Sequence, residues 1–234
     1  QGMAFDSAGN LFVSDQGKIR KITFDPGSGD ASSEAFVGNG DWGYVDGTGS
    51  DTSFREPAGI VIDASDNLYV ADRHNHRIRK ITQSGVVSTY AGDGHGYQDG
   101  SLLSSRFSNP TGLDIDSNGD IYVTTTDDNR IRKIDVSEAI VSSIAGSGSY
   151  GFLDSDLFSS KFRNPFAVLA TTSAIYVADT DNNRIRKVDL KPTIIIPAGS
   201  KTGTLTLKGL DDFVYEVDET ISIDVNSVTN VQNS

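Results

Sequence analysis

Cysteine is absent from the 234 residues, and methionine and tryptophan occur once each. Without thiols the chain has no disulfide framework, no thiolate zinc site and no cysteine nucleophile, so its compartment cannot be read from redox chemistry. Histidine is scarce too, at three residues, and most metal-centre and imidazole-driven nucleophile schemes lack parts. Basic residues are outnumbered 20 to 32, leaving a net charge of −12. Phosphate backbones and anionic lipid surfaces are held mainly by Lys and Arg, so nucleic acid and membranes are disfavoured as partners. No apolar run is long enough to span a bilayer, and no signal-peptide pattern opens the text. It begins in mid-motif at Gln1, and a longer parent protein is expected. What is abundant is glycine, with 24 residues, together with Asp, Asn and Ser, the composition of a turn-rich all-β chain.

The chain repeats itself. Leu11-Phe12-Val13-Ser14-Asp15 recurs as Leu68-Tyr69-Val70-Ala71-Asp72, Ile121-Tyr122-Val123-Thr124-Thr125 and Ile175-Tyr176-Val177-Ala178-Asp179. Each copy is followed by a basic element: Lys18-Ile19-Arg20-Lys21, Arg77-Ile78-Arg79-Lys80, Arg130-Ile131-Arg132-Lys133 and Arg184-Ile185-Arg186-Lys187. The central isoleucine steps by 59, 53 and 54 residues, which puts an insertion around Asp25–Asp30 in the first unit. The second unit reads as four strands, Gly59–Asp63, Leu68–Asp72, Arg77–Thr82 and Val86–Ala91. β-Branched and aromatic runs bounded by Asp, Asn, Ser and Gly are what pleated strands and tight turns require. A four-stranded unit repeated at this period predicts β-propeller blades.

Ala71-Asp72-Arg73-His74-Asn75-His76-Arg77-Ile78 and its echoes at Asp128-Asn129-Arg130-Ile131 and Asn182-Asn183-Arg184-Ile185 resemble the NHL repeat, with Ile78 in place of the leucine for which that repeat is partly named. The linkers Ala91-Gly92-Asp93-Gly94 and Ala145-Gly146-Ser147-Gly148, each leading to an Asn-Pro step, resemble it too. The resemblance runs over about residues 2–190 and implies that residues 1–190 are an all-β partial propeller, with about 3.5 four-stranded blades of what is commonly a six-bladed ring. The remaining blades are expected in the parent chain. Residues 191–234 form a second segment, and about 193–230 are similar to the C-terminal half of a Calx-β domain, a β-sandwich fragment. An alternative reading lets Thr193–Gly199 close the fourth blade, because Ala198-Gly199 follows Ile185 much as Ala145-Gly146 follows Ile131.

Several site readings follow. Twelve of the 20 basic residues lie in the four Ile-Arg-Lys elements. Strand alternation puts Arg77 and Arg79 on one face, where ion pairs with Asp15, Asp72 and Asp179 are expected. The third copy has Thr125 there, with Asp127 or Asp128 as substitutes. His74 and His76 share a loop and read as structural, and His95 has no visible partner. The Gly-rich linkers are turns rather than phosphate cradles, since no helix or lysine follows them. Trp42, Tyr44, Tyr97, Tyr150 and Phe152 recur after those glycines and are candidates for a binding surface. The Calx-β resemblance implies a Ca²⁺ site at Asp211, Asp212 and Glu216. The functional expectation is a non-enzymatic recognition or scaffolding module of a larger secreted or cell-surface protein. Its propeller loops would bind protein or glycan partners, with Ca²⁺ as the only cofactor. The alternative is a metal-dependent propeller lyase or hydrolase, which needs His and acidic residues from several blades to converge.

Overall fold

The computed structural model describes residues 2–190, 202–206 and 220–224. Residues 1–189 form one compact unit and residues 190–234 a second.

The first unit holds four antiparallel sheets. Blade 1 comprises β1 (Met3–Phe5), β2 (Leu11–Asp15), β3 (Lys18–Phe24) and β4 (Ala31–Val37), paired in chain order. Blade 2 comprises β5 (Gly47–Thr48), β6 (Pro57–Ile62), β7 (Leu68–Asp72), β8 (Arg77–Ile81) and β9 (Val86–Ala91), and blade 3 comprises β10 (Gly100–Ser101), β11 (Pro110–Ile115), β12 (Ile121–Thr125), β13 (Arg130–Asp135) and β14 (Ile140–Ala145). Blade 4 has β15 (Pro165–Ala170), β16 (Ala174–Asp179) and β17 (Arg184–Asp189). The propeller reading is thus met by three full sheets and a three-stranded fourth. The sequence missed β5 and β10: each linker lays two residues along the outer strand of the blade it enters, β5 on β9 and β10 on β14. Two residues are too few to show a period.

The turns follow from local chemistry. Asp6, Asp63 and Asp116 close the first hairpin of blades 1 to 3 as Asx turns, each carboxylate accepting from the backbone N–H two and four residues on. The insertion foreseen near Asp25–Asp30 is the turn between β3 and β4, and it moves the partner of Ile19 out to Val37, whereas Ile78 pairs with Ala91 and Ile131 with Ala145. One residue later the register shifts by a bulge at the same place in all three blades.

Successive blades touch through their first strands, β1 against β6, β6 against β11 and β11 against β15. Glycine makes that approach possible. A methyl group on Gly59 would lie 2.5 Å from the Thr111 carbonyl oxygen, and one on Gly112 would lie 2.7 Å from that of Phe166. Ser14 and Thr124 add hydroxyl bonds across the seams, to the carbonyls of Ala58 (2.7 Å) and Phe166 (3.2 Å). Between the sheets lie the cores. Phe12, Ile19 and Val37 of blade 1 meet Phe54, Ile60, Leu68, Val70 and Ile81 of blade 2. Ala58, Tyr69 and Ile78 of blade 2 meet Phe107, Leu113, Ile121 and Val123 of blade 3. Each buried large side chain contributes about 1.5–3 kcal/mol of transfer free energy to these seams.

In the second unit β18 (Thr202–Thr206) and β19 (Thr220–Asp224) pair as an antiparallel hairpin. The rest of the sandwich reading, the Thr193–Gly199 alternative and the candidate ligands Asp211, Asp212 and Glu216 lie outside the described residues.

Candidate binding face

Antiparallel pairing places the start of β6, the end of β7, the start of β8 and the end of β9 at one end of blade 2. The incoming linker, the Glu56-Pro57 step and the β7–β8 loop therefore meet there. Blades 3 and 4 repeat the arrangement.

A buried arginine organises each of these ends. Arg79 has no exposed side-chain surface. It donates to Asp72 (2.8 Å), to the carbonyls of Ser53 (3.2 Å) and Val45 (3.1 Å) and to Asp46, with the Phe54 ring 5.1 Å below. Arg186 does the same with Asp179 (2.9 Å), the carbonyls of Lys161 (2.9 Å) and Leu153 (3.0 Å), Asp154 and Phe162. A guanidinium has five donors in a fixed fork, and burying it requires several acceptors; the two Nη groups of Arg79 find four, while its Nε has no hydrogen-bond partner among the described residues. The ion pairs expected with Asp72 and Asp179 are present, and in blade 1 Arg20 lies 3.9 Å from Asp15.

In blade 3 the substitution expected for Thr125 is met in part: Asp128 pairs with Arg130, whereas Arg132 takes its close partner from the linker. Arg132 pairs with Asp99 of the linker at 2.6 Å and with the carbonyls of Arg106 and Gln98, while Thr125 turns its hydroxyl to the Arg130 carbonyl. Asp127 accepts instead from Asn109, and Asp128 sits 3.8 Å from Arg130. Burial pushes the Asp128 carboxyl above the usual range, opposed by its Thr125 contact and by Arg132 and Arg130. The linker carboxylates Asp46, Asp99 and Asp154 were overlooked in the sequence, although the signal was there: each stands two residues after a linker aromatic, as Tyr44, Tyr97 and Phe152.

Those aromatics are clasped by the first arginine of the same strand. Arg77 stacks on Tyr44 at 4.3 Å, Arg130 on Tyr97 at 3.8 Å and Arg184 on Phe152 at 4.0 Å. Asn75 and Asn182 fasten the linkers further by donating to the carbonyls of Gly43 and Gly151. Trp42 is 65 % exposed with Arg55 over its ring at 5.5 Å, and Tyr150 is 76 % exposed with no ring contact among the described residues. All five candidate aromatics thus reach solvent, four of them held on one side by a guanidinium.

His76 and His95 meet where blades 2 and 3 join, and His74 lies on the loop that carries His76. His74 lies 3.4 Å from Glu56, and His76 stands edge-on to His95 with ring centres 4.7 Å apart. His95 therefore has a partner, which the sequence concealed because the two rings come from a loop and a linker 19 positions apart. His76 Nδ1 accepts the Asn109 N–H at 3.2 Å. Burial and the neighbouring His95 hold the His76 imidazole down at about 4. No group of three or more metal-ligating side chains is assembled among the described residues, and no described helix is long and apolar enough to cross a membrane.

The NHL repeat profile matches residues 54–81 and 107–134, which hold β6 to β8 of blade 2 and β11 to β13 of blade 3. The chain is 30 % identical over 194 residues to the Arabidopsis thaliana protein SUPPRESSOR OF QUENCHING 1, chloroplastic, covering 77 % of this chain and 18 % of that protein. It is 34 % identical over 106 residues to human NHL repeat-containing protein 2, covering 43 % and 15 %. It spans less than a fifth of either relative's length. Among solved structures, a protein of unknown function from Bacteroides thetaiotaomicron superposes with a TM-score of 0.66 at 20 % identity, over 80 % of this chain and 46 % of that one. A streptogramin B lyase gives 0.53 at 14 %, over 97 % and 68 %. At such identities the structures show the fold alone, and none of the matches supports the Calx-β resemblance. The chain therefore carries NHL repeats, set in a four-blade propeller-like arrangement.

Proposed function

We propose that this chain is a non-enzymatic recognition or scaffolding segment of a larger secreted or cell-surface protein. It would bind protein or glycan partners through the end of the blades that carries the linkers. The observation that carries the reading is the set of exposed aromatics, Trp42, Tyr44, Tyr97, Tyr150 and Phe152, presented on linkers pinned by buried arginines. Rings fixed in this way lose little conformational entropy on binding, and aromatic and arginine side chains dominate recognition surfaces. The competing reading, a metal-dependent lyase or hydrolase, needs convergent ligands, and the fold likeness to a lyase carries no chemistry with it.

The full chain should be screened against glycan and protein arrays, and any captured partner titrated against Trp42→Ala and Tyr150→Ala. A loss of at least about tenfold in affinity with unchanged circular dichroism supports the face. Unaltered affinity in both variants sinks it. The Calx-β reading of the tail, with Ca²⁺ held by Asp211, Asp212 and Glu216, rests on sequence likeness. Calorimetric titration with Ca²⁺ tests it, and absence of both heat and stabilisation removes it.

A further inference from the structure

At two seams, a residue in the left-handed conformation at the end of a loop reaches across to the next blade. Asn129, with φ 53°, accepts the Asn164 N–H on its side-chain oxygen at 2.9 Å. His76, with φ 57°, accepts the Asn109 N–H on Nδ1 at 3.2 Å. The positions are equivalent, since each donor is the residue before the proline that opens the next blade's first strand, Pro165 or Pro110. The acceptors differ in kind. An amide oxygen keeps its lone pairs throughout the ordinary pH range, whereas an imidazole nitrogen accepts only while unprotonated.

The surroundings of His76 settle its charge state. Donation from Asn109 to Nδ1 leaves the ring proton on Nε2, a tautomer that also turns a metal ion away from that nitrogen. His95 from the linker faces the ring, His74 lies on its own loop and Arg77 on its own strand, and all three oppose a proton there. Asp127, from the facing loop of blade 3, acts the other way. Asp127 is itself engaged by the Asn109 side chain.

We propose that His76 is an acid-released latch: its protonation frees the Asn109 amide at the seam between blades 2 and 3, while the Asn129 latch between blades 3 and 4 stays shut. A proton on Nδ1 sets two donors against each other across the seam and places a cation against His95. The linker carrying His95 and Tyr97 loses an anchor in the process. The inference stands on the seam geometry and does not depend on the binding role of the face. The sign follows from linkage. The folded imidazole titrates at about 4, against about 6.5 in an unfolded chain. The latch's contribution is therefore complete above about pH 6.5 and is lost as pH falls from there through about 4.

Amide hydrogen exchange on the full chain tests this directly, because Asn164 is an internal control for Asn109. Between about pH 7 and about pH 4, protection at Asn109 should fall at least about tenfold relative to Asn164. The His76 ring resonances should titrate in step, and His76→Asn should abolish the difference. Parallel protection at the two amides in the unaltered chain overturns the proposal, whatever the variant does. So does a selective loss at Asn109 that persists in a folded His76→Asn protein.

Discussion

Charge burial is the dominant effect at the scale of single residues. Arg79 and Asp72 are both completely buried, and removing one leaves the other charged and unsolvated. Arg79→Ala is expected to cost about 3–5 kcal/mol, read as a drop in the urea midpoint, and Asp46→Ala much less because its side chain is half exposed. Equal costs for the two would show that the buried pair is not the centre of the clasp. A second residue-scale prediction concerns Glu56, which stands before Pro57 with φ 50°. Asn109 and Asn164 occupy the same place in the next two blades with φ 52°. Asparagine tolerates that conformation better than glutamate. The ion pairs Glu56 makes with Arg73 and His74 are long and partly exposed, and so worth little. Glu56→Asn should therefore be neutral or stabilising by up to about 1 kcal/mol, and thermal denaturation that shows a clear loss would count against the strain.

At the scale of elements, the first strand of each blade is constrained from the side where the next blade arrives. Gly59→Ala would drive a methyl group into the Thr111 carbonyl and the Leu113 amide of β11, which are backbone and cannot swing aside. A loss of about 2 kcal/mol or more is expected. Gly9→Ala, at a left-handed turn position with open space around it, should cost only about 1 kcal/mol. A Gly59 variant no worse than the Gly9 one would mean the strands can separate freely. The linkers are elements of the same kind, held by their aromatic-Xaa-Asp sequences to the blade they enter. Their pairing as β5 and β10 follows from that anchoring rather than from any strand propensity of two residues.

Across the blades of the first unit, equivalent positions differ in exposure. Ile19, Ile78 and Ile131 are fully buried because the next blade covers them, whereas the equivalent Ile185 of blade 4 is 72 % exposed. Leu169 and Tyr176 of the same blade are exposed to a lesser degree. Ile78→Ala should thus cost about 2–5 kcal/mol and Ile185→Ala under about 0.5 kcal/mol, compared by denaturant unfolding of the same chain. Similar costs would show that something covers blade 4 in solution.

The repeated units, their four main strands and the pairing of Asp72 with Arg79 and of Asp179 with Arg186 were legible in the sequence, because each depends on hairpin neighbours close together along the chain. The β7–β8 pairing of Asp72 with Arg79 is of this sort. So are the Asx turns and the hairpin insertion near Asp25–Asp30. Tertiary structure alone decided which linker carboxylate completes each arginine, that His95 meets His76, and that glycine is needed at positions 59 and 112. Those outcomes depend on how one sheet stacks on the next. The spacing of side chains along a strand records which way each one faces, but not what the neighbouring sheet brings against it.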